Sequence, residues 1–145
     1  MIKREMIAPC GLNCGICSAA FDEEKPCLGC RGPEENKYEF CRFKCKIWRC
    51  ERLLITDGFC DQCPNYPCED VVEKEGRYTT AYPVEESPIQ NLKEIRELGI
   101  EAFLQRESVR RSCPVCGGII IVHTGRCSKC GRLYEVKLGA TPTEK

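Results

Sequence analysis

The sequence holds a single histidine and no glycine-flanked serine elbow, so hydrolase chemistry built on a serine–histidine pair finds no support in it. It has no excess of either charge. Twenty-two Lys and Arg stand against 22 Asp and Glu, which provides no net field to steer the chain onto nucleic acid. Long apolar runs are missing as well. No stretch approaches the roughly 18 residues that a membrane span needs. The opening MIKREMIAPC lacks the apolar core of a secretion signal. These features lead us to expect a cytoplasmic chain with no membrane partner, whose thiols stay reduced. Aliphatic and aromatic side chains are also scarce. The 42% hydrophobic share counts cysteine, and without it less than a third of the chain remains. Folds with so thin a core generally need staples.

What the sequence has instead is 15 cysteines. The number is odd, so disulfides alone would strand one thiol. Clustered cysteines in a reducing compartment point to metal. Structural zinc can contribute about 10–16 kcal/mol of apparent binding energy, which is also folding energy. We therefore expect about three or four zinc ions to organise the chain.

The clearest motif is CPVCGGIIIVHTGRCSKCGRLYEV. Cys113 and Cys116 make one C-x2-C pair, and Cys127 and Cys130 make another. Gly117, Gly118 and Gly131 follow the pairs, where the backbone must turn with little obstruction. Residues 119–122 read as a strand, 123–125 as its turn and 133–136 as a second strand. Two metal-binding knuckles on a small hairpin predict a zinc ribbon with a closed four-cysteine site. A rubredoxin-like iron site has the same ligand set and is the rival reading. His123 reads as a polar turn residue.

Residues 1–70 hold the other eleven: Cys10, Cys14, Cys17, Cys27, Cys30, Cys41, Cys45, Cys50, Cys60, Cys63 and Cys68. Three of them, Cys10, Cys14 and Cys17, have the C-x3-C-x2-C spacing of radical S-adenosylmethionine enzymes. No repeating strand–helix pattern follows to build the barrel such enzymes require, and Ile16 stands where they usually carry an aromatic. Cys14/Cys17, Cys27/Cys30 and Cys60/Cys63 are knuckle-like pairs. Eleven ligands fill two four-cysteine sites and leave three, which with Asp57, Asp61, water or substrate would make an open site. Two zinc sites with three free thiols is the plainer alternative, and spacing alone does not decide the pairing.

Between the two regions lies an acidic stretch with no cysteine. Ser87 reads as a helix N-cap, Pro88 as the first helical residue, Ile89, Leu92 and Ile95 as one apolar stripe, and Gly99 as the stop. A second helix from about residue 101 carries Phe103 and Leu104. Residues 37–54 read as a helix with Cys41 and Cys45 on one face and Trp48 beside them. Its cations, interleaved with Phe40, Phe43 and Trp48, could stack on a nucleic acid, but an amphipathic helix with packed aromatics is the preferred reading. Arg110, Arg111, Arg126, Lys129, Arg132 and Lys137 make the ribbon basic. Docking on the acidic stretch is the first expectation for them.

APCGLNCGICSA, CLGC, FCRFKCKIWRC and CDQCPNYPCED together resemble an uncharacterised cysteine-rich family, domain of unknown function 3795. The matching residues are Cys10, Gly11, Leu12, Cys14 and Cys17, then Cys27, Gly29 and Cys30. Phe40, Cys41, Cys45, Ile47 and Cys50 follow, and Cys60, Cys63, Tyr66, Pro67, Cys68 and Glu69 close the pattern. Ser18-Ala19 replaces the Pro that usual members carry after the third cysteine. The resemblance implies a small soluble metal-binding protein and brings no activity with it.

The sequence thus predicts a small α+β metal-stabilised protein. A cysteine-rich zinc-knuckle domain spans 1–83, a helical connector 84–111, a zinc ribbon 112–138 and a tail 139–145. The expected role is a non-catalytic zinc-binding or adaptor module with an unidentified protein partner. An iron–sulfur or open-site protein of redox or metal-transfer function is the second reading. A nucleic-acid-associated regulator acting through Arg110, Arg111, Arg126, Lys129 and Arg132 is the third.

Overall fold

The computed structural model describes residues 2–145. Among these residues, four α-helices and a two-stranded antiparallel sheet form a small α+β fold. Up to residue 68 the chain is mostly short 3₁₀ turns, with α1 (Glu39–Phe43) among them. Then come α2 (Glu69–Thr80), α3 (Pro88–Leu98) and α4 (Ile100–Arg110). The sheet pairs β1 (Tyr134–Glu135) with β2 (Thr143–Glu144), Tyr134 opposite Glu144. The terminal segment read as a tail thus supplies a strand.

The connector forms as its sequence suggests. Ser87 Oγ accepts the backbone N–H of Gln90 at 3.0 Å, and Pro88 opens α3. Leu92 and Ile95 are buried along its inner face. Gly99 ends the helix at φ 87°, where a side chain would be strained, and α4 starts at once. Phe103 on α4 has no exposed surface. Helices α3 and α4 pack on each other, and α2 packs on α3, where Glu75 accepts from Ser87 Oγ at 2.6 Å and from the Ile89 N–H at 3.0 Å; Val71, Lys74 and Tyr78 are the buried side chains of α2.

Residues 37–54 do not make one helix. After α1 the chain breaks into 3₁₀ turns at Ile47–Arg49 and Glu51–Ile55. The cause is local. The indole N–H of Trp48 donates to the Cys41 carbonyl at 2.6 Å, the acceptor that the residue-45 amide would need to continue the helix. The Cys45 amide turns to the Phe40 carbonyl instead. Cys41 and Cys45 therefore lose the one-turn stacking expected of them.

One connected set of buried apolar residues runs from Ile2 to Val136 and draws on all parts of the chain. A polar cluster with almost no exposure sits within it. Glu86 and Glu107 are completely buried, with Asn13 and Arg111 beside them. The Asn13 backbone N–H donates to Glu86 Oε2 at 3.0 Å, and its side-chain amide donates to Glu107 Oε1 at 3.0 Å. Arg111 Nη2 donates to Glu86 Oε1 at 2.8 Å. Arg110 bridges Glu107 at 2.5 Å and Glu94 at 2.6 Å. Arg110 and Arg111, counted from sequence among the ribbon's cations, instead belong to the end of α4, where acidic side chains hold them inside the molecule. Backbone bonds extend the join: Val122 N–H to Ile16 O at 2.8 Å, and Glu85 N–H to Val136 O at 2.8 Å.

Removing Arg111 from this cluster leaves the buried Glu86 carboxyl without a cation, while Glu107 keeps Arg110. Arg111→Met is expected to cost about 3–5 kcal/mol in urea unfolding, whereas Arg132→Met, which breaks an exposed and solvent-screened pair with Glu144, should leave the midpoint nearly unchanged. Equal losses would refute the distinction.

The cluster also sets a pH dependence. Burial raises the Glu86 carboxyl to about 7, against the pull of Arg111 and with the help of Glu107. Between about 4.5 and 7 the folded chain therefore holds a proton that the unfolded chain has released. Stability should fall as pH rises through that window, and Glu86→Gln should flatten the slope of urea midpoint against pH.

Candidate metal centre

The two predicted knuckles come together. The sulfurs of Cys113, Cys116, Cys127 and Cys130 all lie within 4.8 Å of one another. Cys113 and Cys130 stand 3.7 Å apart, and Cys116 and Cys127 stand 3.4 Å apart. A tetrahedral ion holding thiolates at about 2.3 Å needs sulfurs about 3.8 Å from each other. The donor set therefore fits one ion with no position left open.

The backbone explains the convergence. Each knuckle is closed by the same two bonds. Gly117 N–H donates to Cys113 O at 2.9 Å, and Gly131 N–H donates to Cys127 O at 3.1 Å. Cys113 N–H then donates to Gly118 O at 2.7 Å, and Cys127 N–H to Arg132 O at 2.8 Å. Gly117 and Gly131 both take φ 76°, which glycine alone adopts without strain. A Cβ on Gly118 would sit 2.7 Å from Cys127 Sγ, so the sulfur occupies the space a side chain would need.

Donors surround the sulfurs. Tyr134 OH and Cys113 Sγ are 3.0 Å apart in the interior. Backbone N–H groups of Gly118 and Lys129 donate to Cys116 and Cys127 at 3.4 Å each. Burial opposes a charged Cys113. The hydrogen bonds from Tyr134 and from the Cys116 and Val115 amides prevail and bring its thiol down to about 6. Burial opposes a charged Cys127 as well, and there the amides of Cys130 and Lys129 prevail and lower the thiol. Cys113 and Cys127 are thus prepared for the thiolate form that metal ligation requires, whereas at Cys130 the Arg132 amide is outweighed by burial and the three neighbouring sulfurs, which push that thiol up to about 11.

The hairpin between the knuckles is shorter in regular pairing than predicted. Ile120 pairs with Cys127 and Ser112 with Ile119 through single bridges, and Ile120 and Val122 point into the core. His123 is no ligand here. Its Nδ1 accepts the Ser18 N–H at 3.3 Å, its Nε2 lies 3.4 Å from Tyr78 OH, and its ring packs edge-on to Tyr82. Burial and Arg77 lower its pKa, which suits the neutral, accepting form. It fastens the ribbon turn to α2.

The eleven other cysteines are distributed differently. Among the described residues, the ribbon four are the one group of three or more metal-ligating side chains whose donor atoms all meet within 4.8 Å. Cys10, Cys14, Cys45 and Cys60 are buried, Cys50 is exposed, and Cys17, Cys27, Cys30, Cys41, Cys63 and Cys68 are half-buried. Cys14 and Cys30 touch at 3.8 Å. Lys74 is nearly fully buried and donates to Cys45 Sγ at 3.3 Å. Burial disfavours its charge, but the Cys10, Cys45 and Cys30 sulfurs more than offset this and keep it protonated. Cys17 and Cys41 flank the same lysine in a recess beside Tyr78, and Cys27 lines a second recess next to Lys37. Cys50, Cys60, Cys63 and Cys68 surround a separate cavity. Asp57 and Asp61, considered as extra ligands, both pair with Arg96 on α3 at 3.1 and 2.8 Å. Lys74 has no sequence signal beyond its spacing from Val71 and Tyr78.

Comparison with protein-family models, with curated proteins and with solved structures returns no match. What the site can do must be read from its own chemistry. Tyr134→Phe, which deletes the hydroxyl next to Cys113, is expected to weaken metal binding by about 10–100-fold in competition with a chromophoric chelator. An unchanged affinity would show that this contact does not tune the site.

Proposed function

We propose that this protein is a zinc-binding module without catalytic activity, acting through association with a protein partner. One observation carries the reading: four sulfurs converge at single-ion spacing, each ribbon knuckle is closed by its own backbone bonds, and no coordination position remains for a substrate. Closed four-cysteine sites of this kind are structural, whereas catalytic zinc keeps a place for water. The resemblance to domain of unknown function 3795 points the same way. Arg110 and Arg111 are committed to Glu94, Glu107 and Glu86, which withdraws two of the five cations on which a nucleic-acid reading relied. Val115, Leu133 and Leu138 of the ribbon segment are exposed apolar side chains available for protein contact.

Elemental analysis of the full chain purified without oxygen tests the reading. Wild-type protein should carry one zinc that Cys116→Ser loses, and a chelator under reducing conditions should lower the melting temperature of the wild type and leave the variant unchanged. Iron in place of zinc at these sulfurs, seen as visible absorption that Cys116→Ser abolishes, would overturn it.

A further inference from the structure

The ribbon sulfurs converge on a point. Those of Cys50, Cys60, Cys63 and Cys68 do not. They stand around a cavity of about 500 Å³. At roughly 30 Å³ per water that is room for about sixteen, far beyond what one ion fills. The four cysteines line it from separate backbone positions. Cys50 joins two 3₁₀ turns, Cys60 begins a third, Cys63 ends that one, and Cys68 precedes the first residue of α2. Cys60 is anchored from behind, its N–H donating to Pro9 O at 2.8 Å.

The rest of the wall is suited to a bulky, negatively charged, sulfur-rich group. Ile47, Leu53 and Tyr66 make it largely apolar. Lys46, Arg49 and Arg52 bring three cations to its rim, against Asp70 alone among acids. Cys68 also stands at the N-terminus of the twelve-residue α2, the positive end of its dipole.

We propose that Cys50, Cys60, Cys63 and Cys68 are the four ligands of a [4Fe–4S] cluster seated in this cavity. A single zinc would need the four thiolates within about 4 Å of each other, and no three of them meet within 4.8 Å. A cubane places four irons between its cysteine sulfurs and so takes thiolates set further apart around a void. Four thiolates on the cluster core leave the assembly negative, which the Lys46, Arg49 and Arg52 rim compensates. The site is distinct from the ribbon, so the two proposals stand or fall separately.

The test uses the full chain, purified without oxygen and supplied with ferric iron, sulfide and a dithiol, which reduces two of every four ferric ions as it is oxidised to its disulfide. The expected product is brown and holds about four irons and four acid-labile sulfides per chain. Cys63→Ser and the exposed-site Cys50→Ser should each lose the colour and most of the iron and sulfide, while Cys116→Ser should lose only zinc. Circular dichroism checks that the variants are folded. Because Cys50 is on the surface, its replacement keeps the test readable even if Cys63→Ser misfolds. Iron X-ray absorption should show iron–iron neighbours in the wild type. The proposal is overturned if no sulfide is incorporated, if zinc fills these sulfurs, or if Cys14→Ser rather than Cys50→Ser removes the iron.

Discussion

Two carboxylates, Glu86 and Glu107, lie wholly inside this small protein, and much of its architecture answers to their charge. A buried carboxylate without partners costs several kcal/mol. Here Glu86 is met by Arg111 and the Asn13 amide, and Glu107 by Arg110 and the Asn13 side chain. Those partners belong to the N-terminal turns and to the end of α4. Satisfying the two charges therefore fixes where the first cysteine segment lies relative to the helical hairpin. The ribbon is then sutured to both by the Val122–Ile16 and Glu85–Val136 bonds.

This cluster complements sulfur chemistry as an organiser. A chain with few apolar side chains needs cross-links that do not depend on greasy area. The ribbon supplies one kind, a ring of thiolates that a cation can close. The charge cluster supplies another that needs no added ion. Lys74 is a third and more local case. A buried ammonium among sulfurs is tolerated because the sulfurs hold its proton in place.

What could be read from sequence was what depends on neighbours in sequence. Ser87, Pro88 and Gly99 mark helix boundaries through their own backbone chemistry, and each does so in the structure. The two C-x2-C pairs close their own turns, so their convergence could be anticipated. The broken helix after α1 could not, because it depends on Trp48 reaching back to one carbonyl. Nor could the burial of Glu86 and Glu107, since their partners lie 73 and 94 residues away in Asn13. Strand β2 was missed for a related reason: two residues near the C-terminus carry no period of their own, and only pairing with Tyr134 and Glu135 defines them. The N-terminal cysteines show the same limit. Spacing groups Cys14 with Cys17, whereas folding sets Cys14 against Cys30 at 3.8 Å.

The ribbon four are not equivalent. Cys113 and Cys127 are buried, and Cys116 and Cys130 are exposed. Any ion held there has an inner pair of anchors shielded from solvent and an outer pair within reach of competitors. Capture and release then have a direction. An incoming chelator or donor thiol must displace the outer sulfurs first, while the inner two, one of them steadied by Tyr134, let go last. Exchange of any such ion would run stepwise through the one face on which Cys116 and Cys130 are exposed.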